Sequence, residues 1–258
     1  MRLATWNVNS LAARLDRVEA WIDEVGPDVL CLQETKLADD AFPALTFSAL
    51  GYESVHHGQG RWNGVAILSK VGLEAPAVGF APGDVIPRDE ARVVSATCGG
   101  VRVASLYVPN GRTIDHEQYA FKLEWLGLLA GHLDAACDPG TDVVLCGDFN
   151  IAPDDRDVYD PKKFVGGTHV TPAEREALGK LLDWGLVDVF REHHDADRLY
   201  SWWDYRAGDF HQGRGLRIDL VLATRALADR ARWSIVDRNA RKGKPTPSDH
   251  APLVVEFA

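Results

Sequence analysis

The sequence predicts an α/β protein of four layers, two packed mixed β-sheets flanked by helices. Three observations predict it: short continuous apolar runs of the buried-strand type, strand pairs joined by tight turns, and apolar stripes at helical spacing between them. A plain parallel βα series would not contain the hairpins.

Residues 3–8 read as the first strand. A helix follows from about 11 to 25, because Leu11, Leu15, Val18, Ile22 and Val25 alternate at spacings of four and three and form one stripe. Gly26-Pro27 stops it, and residues 29–32 are a wholly apolar strand. Runs 93–98 and 101–108 flank Gly99-Gly100, a tight hairpin signal. A second helix is predicted from near Asp115, carrying Tyr119, Leu123, Leu126 and Leu133, and residues 142–147 are another buried strand. Thr171-Pro172-Ala173-Glu174 opens a third helix: threonine as N-cap, proline in the first turn, glutamate completing the capping box. Gly185 ends it. Strands at 217–223, 231–236 and 253–257 complete the chain.

No Pro/Ser linker, low-complexity tract or fixed-period repeat interrupts the 258 residues, so a single domain spanning 1–258 is expected. The composition, 46% hydrophobic and 26% charged, is that of an ordinary soluble globular chain. No secretory signal and no apolar run of roughly 20 residues is present, so no membrane partner is expected. Cys31, Cys98, Cys137 and Cys146 show neither C-x-x-C pairs nor zinc spacing, which fits a reduced, cytoplasmic setting. The net charge is −10, yet residues 198–244 carry eleven Lys/Arg against five Asp/Glu, a local balance of +6. This asymmetry predicts one cationic surface on an anionic body.

The chemistry gathers where apolar runs stop at carboxylates or amides. Thr5-Trp6-Asn7-Val8-Asn9, Cys31-Leu32-Gln33-Glu34-Thr35, Tyr107-Val108-Pro109-Asn110 and Cys146-Gly147-Asp148-Phe149-Asn150 all end this way. In extended chain, residues i and i+2 share a side, so Asn7/Asn9 and Asp148/Asn150 can each present two oxygens together. Each segment alone also reads as an ordinary turn former. Asp219 within the apolar Arg217-Ile218-Asp219-Leu220 run needs a partner, and His250 in Ser248-Asp249-His250-Ala251-Pro252 can supply it, orienting the imidazole. A structural salt bridge is the alternative. His56-His57 and His193-His194 read as surface loop residues outside the chemistry.

The motifs TWNVNS (5–10), LQETK (32–36), YVPNG (107–111), GDFN (147–150), WGLVD (184–188), GLRIDLVLA (215–223) and SDHAP (248–252) together resemble the exonuclease III family of abasic-site endonucleases, within the endonuclease/exonuclease/phosphatase superfamily. They stand in that family's order across essentially the whole chain. The resemblance implies a DNA repair nuclease: metal-dependent hydrolysis 5′ to an abasic site leaving a 3′-hydroxyl, with 3′→5′ exonuclease and 3′-end cleaning on double-stranded DNA. It implies Tyr107, Asp148, Asn150, Asp219 and His250 as catalytic residues. Glu34 is the implied principal metal ligand, with Asn7, Asp148, Asn150, Asp249 and His250 completing the candidate set. Oxygen donors without a Cys/His cluster point independently to Mg2+, with Mn2+ able to substitute. Whether Asp148 or His250 takes the proton stays open at this stage.

Asn9 stands where many family members carry aspartate, and Leu216 where animal members carry tryptophan. The implied partner is duplex DNA with abasic sites or 3′-blocked ends, met by a monomeric, nucleoid-associated protein with no obligate protein partner. Trp202 and Leu216 would line a pocket for the baseless sugar, with Tyr200, Trp203 and Tyr205 as core or support. Asn9 and Asn110 would touch phosphate. Arg206, Arg214, Arg217, Arg241, Lys242 and Lys244, with Arg61 in the loop 58–63, would meet the DNA backbone.

Overall fold

Two six-stranded sheets form the centre of the molecule, seen in a computed structural model that describes residues 1–80 and 88–258. The strands are β1 (Arg2–Asn7), β2 (Val29–Gln33), β3 (Glu53–His57), β4 (Val65–Ser69), β5 (Glu74–Val78), β6 (Val93–Cys98), β7 (Val101–Tyr107), β8 (Val143–Asp148), β9 (Leu186–Asp188), β10 (Asp219–Thr224), β11 (Ala231–Val236) and β12 (Leu253–Phe257). One sheet runs β11-β12-β1-β2-β4-β3 and the other β5-β6-β7-β8-β10-β9. Each has one parallel pair at its heart, β1 with β2 and β7 with β8, and antiparallel neighbours outside it.

The central strands are buried on both faces, which is why they read as unbroken apolar runs. Leu3, Cys31, Ile67, Val103, Cys146, Val221 and Val255 pack between the sheets. Helices α1 (Leu15–Val25) and α2 (Ala44–Ala49) cover the outer face of the first sheet around Trp6, Leu30 and Leu68. Helices α3 (Glu117–Ala136) and α4 (Pro172–Asp183) cover the second around Leu106, Leu145 and Leu222. A short α5 (Val189–His193) follows β9. The four expected layers are present.

The local signals behave as their chemistry dictates. Gly26, at φ 60, closes α1 with its N–H on the Ile22 carbonyl. Gly99 and Gly100 both have positive φ, the requirement of a type I′ hairpin turn. Thr171 and Glu174 form both halves of the capping box.

Three expectations need correction. α1 begins at Leu15, not near Leu11. The amides of Ser10 and Leu11 donate instead to the carbonyls of Glu34 and Thr35, which ties this segment to the end of β2 and delays the helix. The strand expected from Arg217 begins at Asp219, because the Arg217 amide donates to the Asp157 carbonyl. His56 and His57 are strand residues of β3, and His193 and His194 close α5 against Ser234. Strands β3, β5 and β9 have little or no continuous burial, and Pro76 marks β5 as an edge, so their apolar signal is weak. Among the described residues no helix is long and apolar enough to cross a membrane.

Candidate active site

The sheet topology brings six segments to one edge. Parallel β1 and β2 end there with Asn7 and Glu34, and parallel β7 and β8 end there with Tyr107 and Asp148. Antiparallel β10 and β12 start there, so Asp219 begins β10 and His250 precedes β12. The register sets Tyr107, Asp148 and Asp219 side by side on three adjacent strands. Gly147 allows the close approach within this row: a Cβ there would lie 1.9 Å from the Leu106 carbonyl oxygen.

His250 is held through Nδ1, 2.9 and 3.1 Å from the two Asp219 oxygens, and its Nε2 lies 3.7 Å from Asp148 Oδ2. Burial opposes charge on this imidazole, but Asp219, Asp148 and Asp249 together push it up to about 10, which favours the charged ring. Burial pushes the Asp148 carboxyl up to about 7, with Asp219 and Glu34 adding to the rise and His250 and the Asn7 amide opposing it. Asn7 bridges the acids, its Nδ2 donating to Glu34 Oε1 and Asp148 Oδ2, both at 2.9 Å. Lys36 pairs with Glu34 at 2.9 Å. Burial, then the nearby Glu34 carboxylate, pushes the Tyr107 hydroxyl well above its ordinary range. Glu34 and Asn150 have positive φ, a backbone cost typical of residues held for function.

Glu34, Asp148 and His250 bring one ligand atom each to within 4.8 Å of one another. Carboxylate oxygens brought this close suit a hard cation, and burial first, then Asp219 and Glu34, raise the Asp148 carboxyl there. Glu34 and Asp148 fit a hard divalent cation, whereas Asn7 turns its Nδ2 to both acids and its Oδ1 to the Asn9 N–H. With Nδ1 engaged by Asp219, His250 turns Nε2 toward the cluster. Asp249 stands apart from this cluster: its oxygens accept from Asn9 Nδ2 and Trp202 Nε1, both at 3.0 Å. Asn150 is likewise engaged, its Oδ1 accepting from Asn110 and its Nδ2 donating to the Val108 carbonyl.

Several expected DNA contacts are corrected. Arg217 is 0% exposed, ion-paired with Asp157 and Asp188, and cannot reach a phosphate. Arg241 is buried against the Ser248 carbonyl. Leu216 is 0% exposed, packed with Val158 and Ile218 behind Trp202, so it forms no open pocket wall. Tyr200 and Trp203 are core as expected, while Tyr205 is exposed and donates to the Pro247 carbonyl. Arg206 and Arg214 pair with Asp204 and Asp209, and Arg225 and Arg230 with Glu192 and Asp142. The local balance of +6 therefore overstates the charge open to a polyanion. Arg61, Lys242 and Lys244 are exposed.

Sequence reasoning missed the support behind Asn150. Lys122 and Glu174 form a fully buried ion pair, and Lys122 Nζ also donates to the Asn150 carbonyl at 2.6 Å. His169, at φ 79, has Nδ1 2.6 Å from the same carbonyl, and burial with Lys122 beside it pulls its imidazole down to about 4. His56 ties Thr35, next to Glu34, through Nε2 at 2.8 Å. Only Glu174 had a local signal, and that signal announced a helix cap.

The model of the endonuclease/exonuclease/phosphatase family matches residues 4–250. Exodeoxyribonuclease III of Haemophilus influenzae is 35% identical, with 100% of each chain covered. The chain belongs to this family, in its exonuclease III branch. Among solved structures, an AP endonuclease from Archaeoglobus fulgidus superposes with TM-score 0.95 at 40% identity, covering 100% of this chain and 99% of that one. A 3′ phosphatase from Neisseria, NExo, solved with a product DNA hairpin, gives TM-score 0.95 at 38% identity with the same coverage.

Proposed function

We propose that this chain is a DNA repair nuclease that hydrolyses phosphoesters in duplex DNA, at abasic sites and at 3′ ends, as a monomer with Mg2+ or Mn2+. The observation that carries the reading is the packing of Glu34, Asp148 and the Asp219-held His250 around one point. A bound cation would neutralise phosphate oxygens and stabilise the leaving alkoxide. Asp148, raised toward neutrality, takes the proton of the attacking water. His250 donates from Nε2 to a phosphate oxygen as charge builds in the transition state. Asp219 keeps that imidazole charged and oriented, and Tyr107 and Asn110 donate to the same phosphate. Asn150 holds Asn110 in place.

A second reading ranks the 3′-end reaction above internal incision. Its support is Leu216, which has no exposed surface, so a flipped-out sugar meets only Trp202 of the two expected walls. Sequence relatives and structural neighbours carry both kinds of name, which is consistent with either ranking.

One assay tests both. Duplexes carrying a tetrahydrofuran abasic analogue or a 3′-phosphate are incubated with Mg2+, then with EDTA. A metal-dependent cut immediately 5′ to the analogue supports the first ranking, and faster 3′-phosphate release supports the second. Activity on neither duplex, with Mn2+ also tried, overturns the DNA reading.

A further inference from the structure

Trp62 is 61% exposed, the most open tryptophan or tyrosine among the described residues. Single exposed apolar residues are common and carry no function by themselves. Trp62, however, borders a cavity of about 290 Å³ that runs between Arg92, Arg112 and the active-site residues Tyr107 and Asn110. Its ring is not left on a loose loop. Lys36 N–H donates to the Asn63 carbonyl at 2.9 Å and Thr35 N–H to that of Gly64 at 3.1 Å, so the loop is stitched to the segment carrying Glu34. Gln59 Oε1 accepts from the Asn63 amide at 3.0 Å and from the Ala91 N–H, fixing the loop's other side. The Arg61 guanidinium sits 5.4 Å from the Trp62 ring centroid, a cation–π contact on one face.

We propose that Trp62 and this cavity form a nucleobase-stacking subsite, which takes one base adjacent to the scissile phosphate. The proposal rests on the nuclease reading above and adds a base-binding element to it. A flat aromatic surface on a fixed loop binds any base through its π face, without reading sequence. Arg61 polarises the same ring while keeping its charge near the backbone. The shared residues Tyr107 and Asn110 put a stacked base within one nucleotide or two of the reacting phosphate. Binding a base there sets the register of the strand in the site.

The test uses 2-aminopurine, an adenine analogue whose fluorescence is quenched by stacking, placed in turn at each of the first few nucleotides on both sides of the scissile phosphate. The full chain carrying Asp148→Asn binds such duplexes without turnover. We expect quenching at one position, lost when Trp62→Ala is added and kept by Trp62→Phe. The dissociation constant should rise about tenfold in the alanine variant, as for one lost base–aromatic stack. In turnover assays of the single variant the loss falls on KM. DNA binding in which no position responds to Trp62→Ala overturns the subsite and leaves the nuclease reading intact. No DNA binding by the Asp148→Asn chain itself overturns the reading beneath it.

Discussion

Asp219 and His250 are joined in the protein interior, with Nδ1 2.9 Å from Oδ2 and both side chains almost wholly buried. The carboxylate fixes which imidazole nitrogen faces the reacting centre and favours the charged ring against the cost of burial. The pair spans two sheets, because Asp219 opens β10 and His250 precedes β12. The orientation of the donor thus depends on how the sheets pack.

We expect Asp219→Asn to leave the fold intact and to lower kcat by about 2.7–4 kcal/mol of transition-state stabilisation, roughly a hundred- to thousandfold. His250→Asn should cost as much, and the double variant little more, since the two act as one unit. Steady-state kinetics at saturating Mg2+ decide it. Additive losses in the double variant would mean that the residues act separately.

Glu34→Ala is expected to raise the Mg2+ concentration needed for half-maximal activity at least tenfold, consistent with its place among the crowded oxygens. Asp148→Asn should instead remain inactive however much metal is added, because the proton acceptor is gone. Metal titrations of both variants separate the roles. An unchanged curve for Glu34→Ala removes it as a ligand.

The buried Lys122–Glu174 pair makes stability depend on acid. The Glu174 carboxyl is opposed by burial but held down to about 2 by Lys122 and by hydrogen bonds from Thr168 and the His169 N–H. A depressed carboxylate stabilises the fold fully above its unfolded value near 4.5 and loses that contribution as pH falls toward 2. Glu174→Gln should destabilise the protein by about 3–5 kcal/mol at pH 7. Urea denaturation from pH 7 down to pH 3 should show a shallower loss in the variant than in the wild type.

Arg217 and Lys244 should behave oppositely, although both were expected at the DNA surface. Arg217→Met breaks a buried network with Asp157 and Asp188, so its effect is on the melting temperature. Lys244→Ala leaves stability alone and reduces the slope of log K against log salt by about 0.9, one phosphate contact. Fluorescence anisotropy across a salt series, beside thermal melts, distinguishes them. A changed salt slope in a folded Arg217→Met chain would contradict its burial.

The parts of the site legible in sequence were those announced by a break in an apolar run. Asn7, Glu34, Tyr107, Asp148 and Asp219 each stand where a buried strand meets the rim, and a polar group there needs a reason. Their partners were less legible. Lys122 lies within the apolar stretch of α3, where nothing local indicates a carboxylate from α4. Arg217 carries a charge that reads as surface until Asp157 and Asp188, remote in sequence, are found around it. Sequence distance hid both.

The sequence by itself determined the alternation of strands and helices, the hairpin at Gly99-Gly100, the Thr171 cap and the residue types of the reacting centre. These rest on local physics: periodic burial, backbone φ preferences and capping hydrogen bonds act over a few residues. Tertiary structure alone decided which acids meet, that Asp249 accepts from Asn9 and Trp202, that Leu216 is closed off and that Trp62 stays open. Charge states belong to the same class. Asp148 and His250 take theirs from burial and from carboxylates on other strands, a sum that exists only once the two sheets have packed.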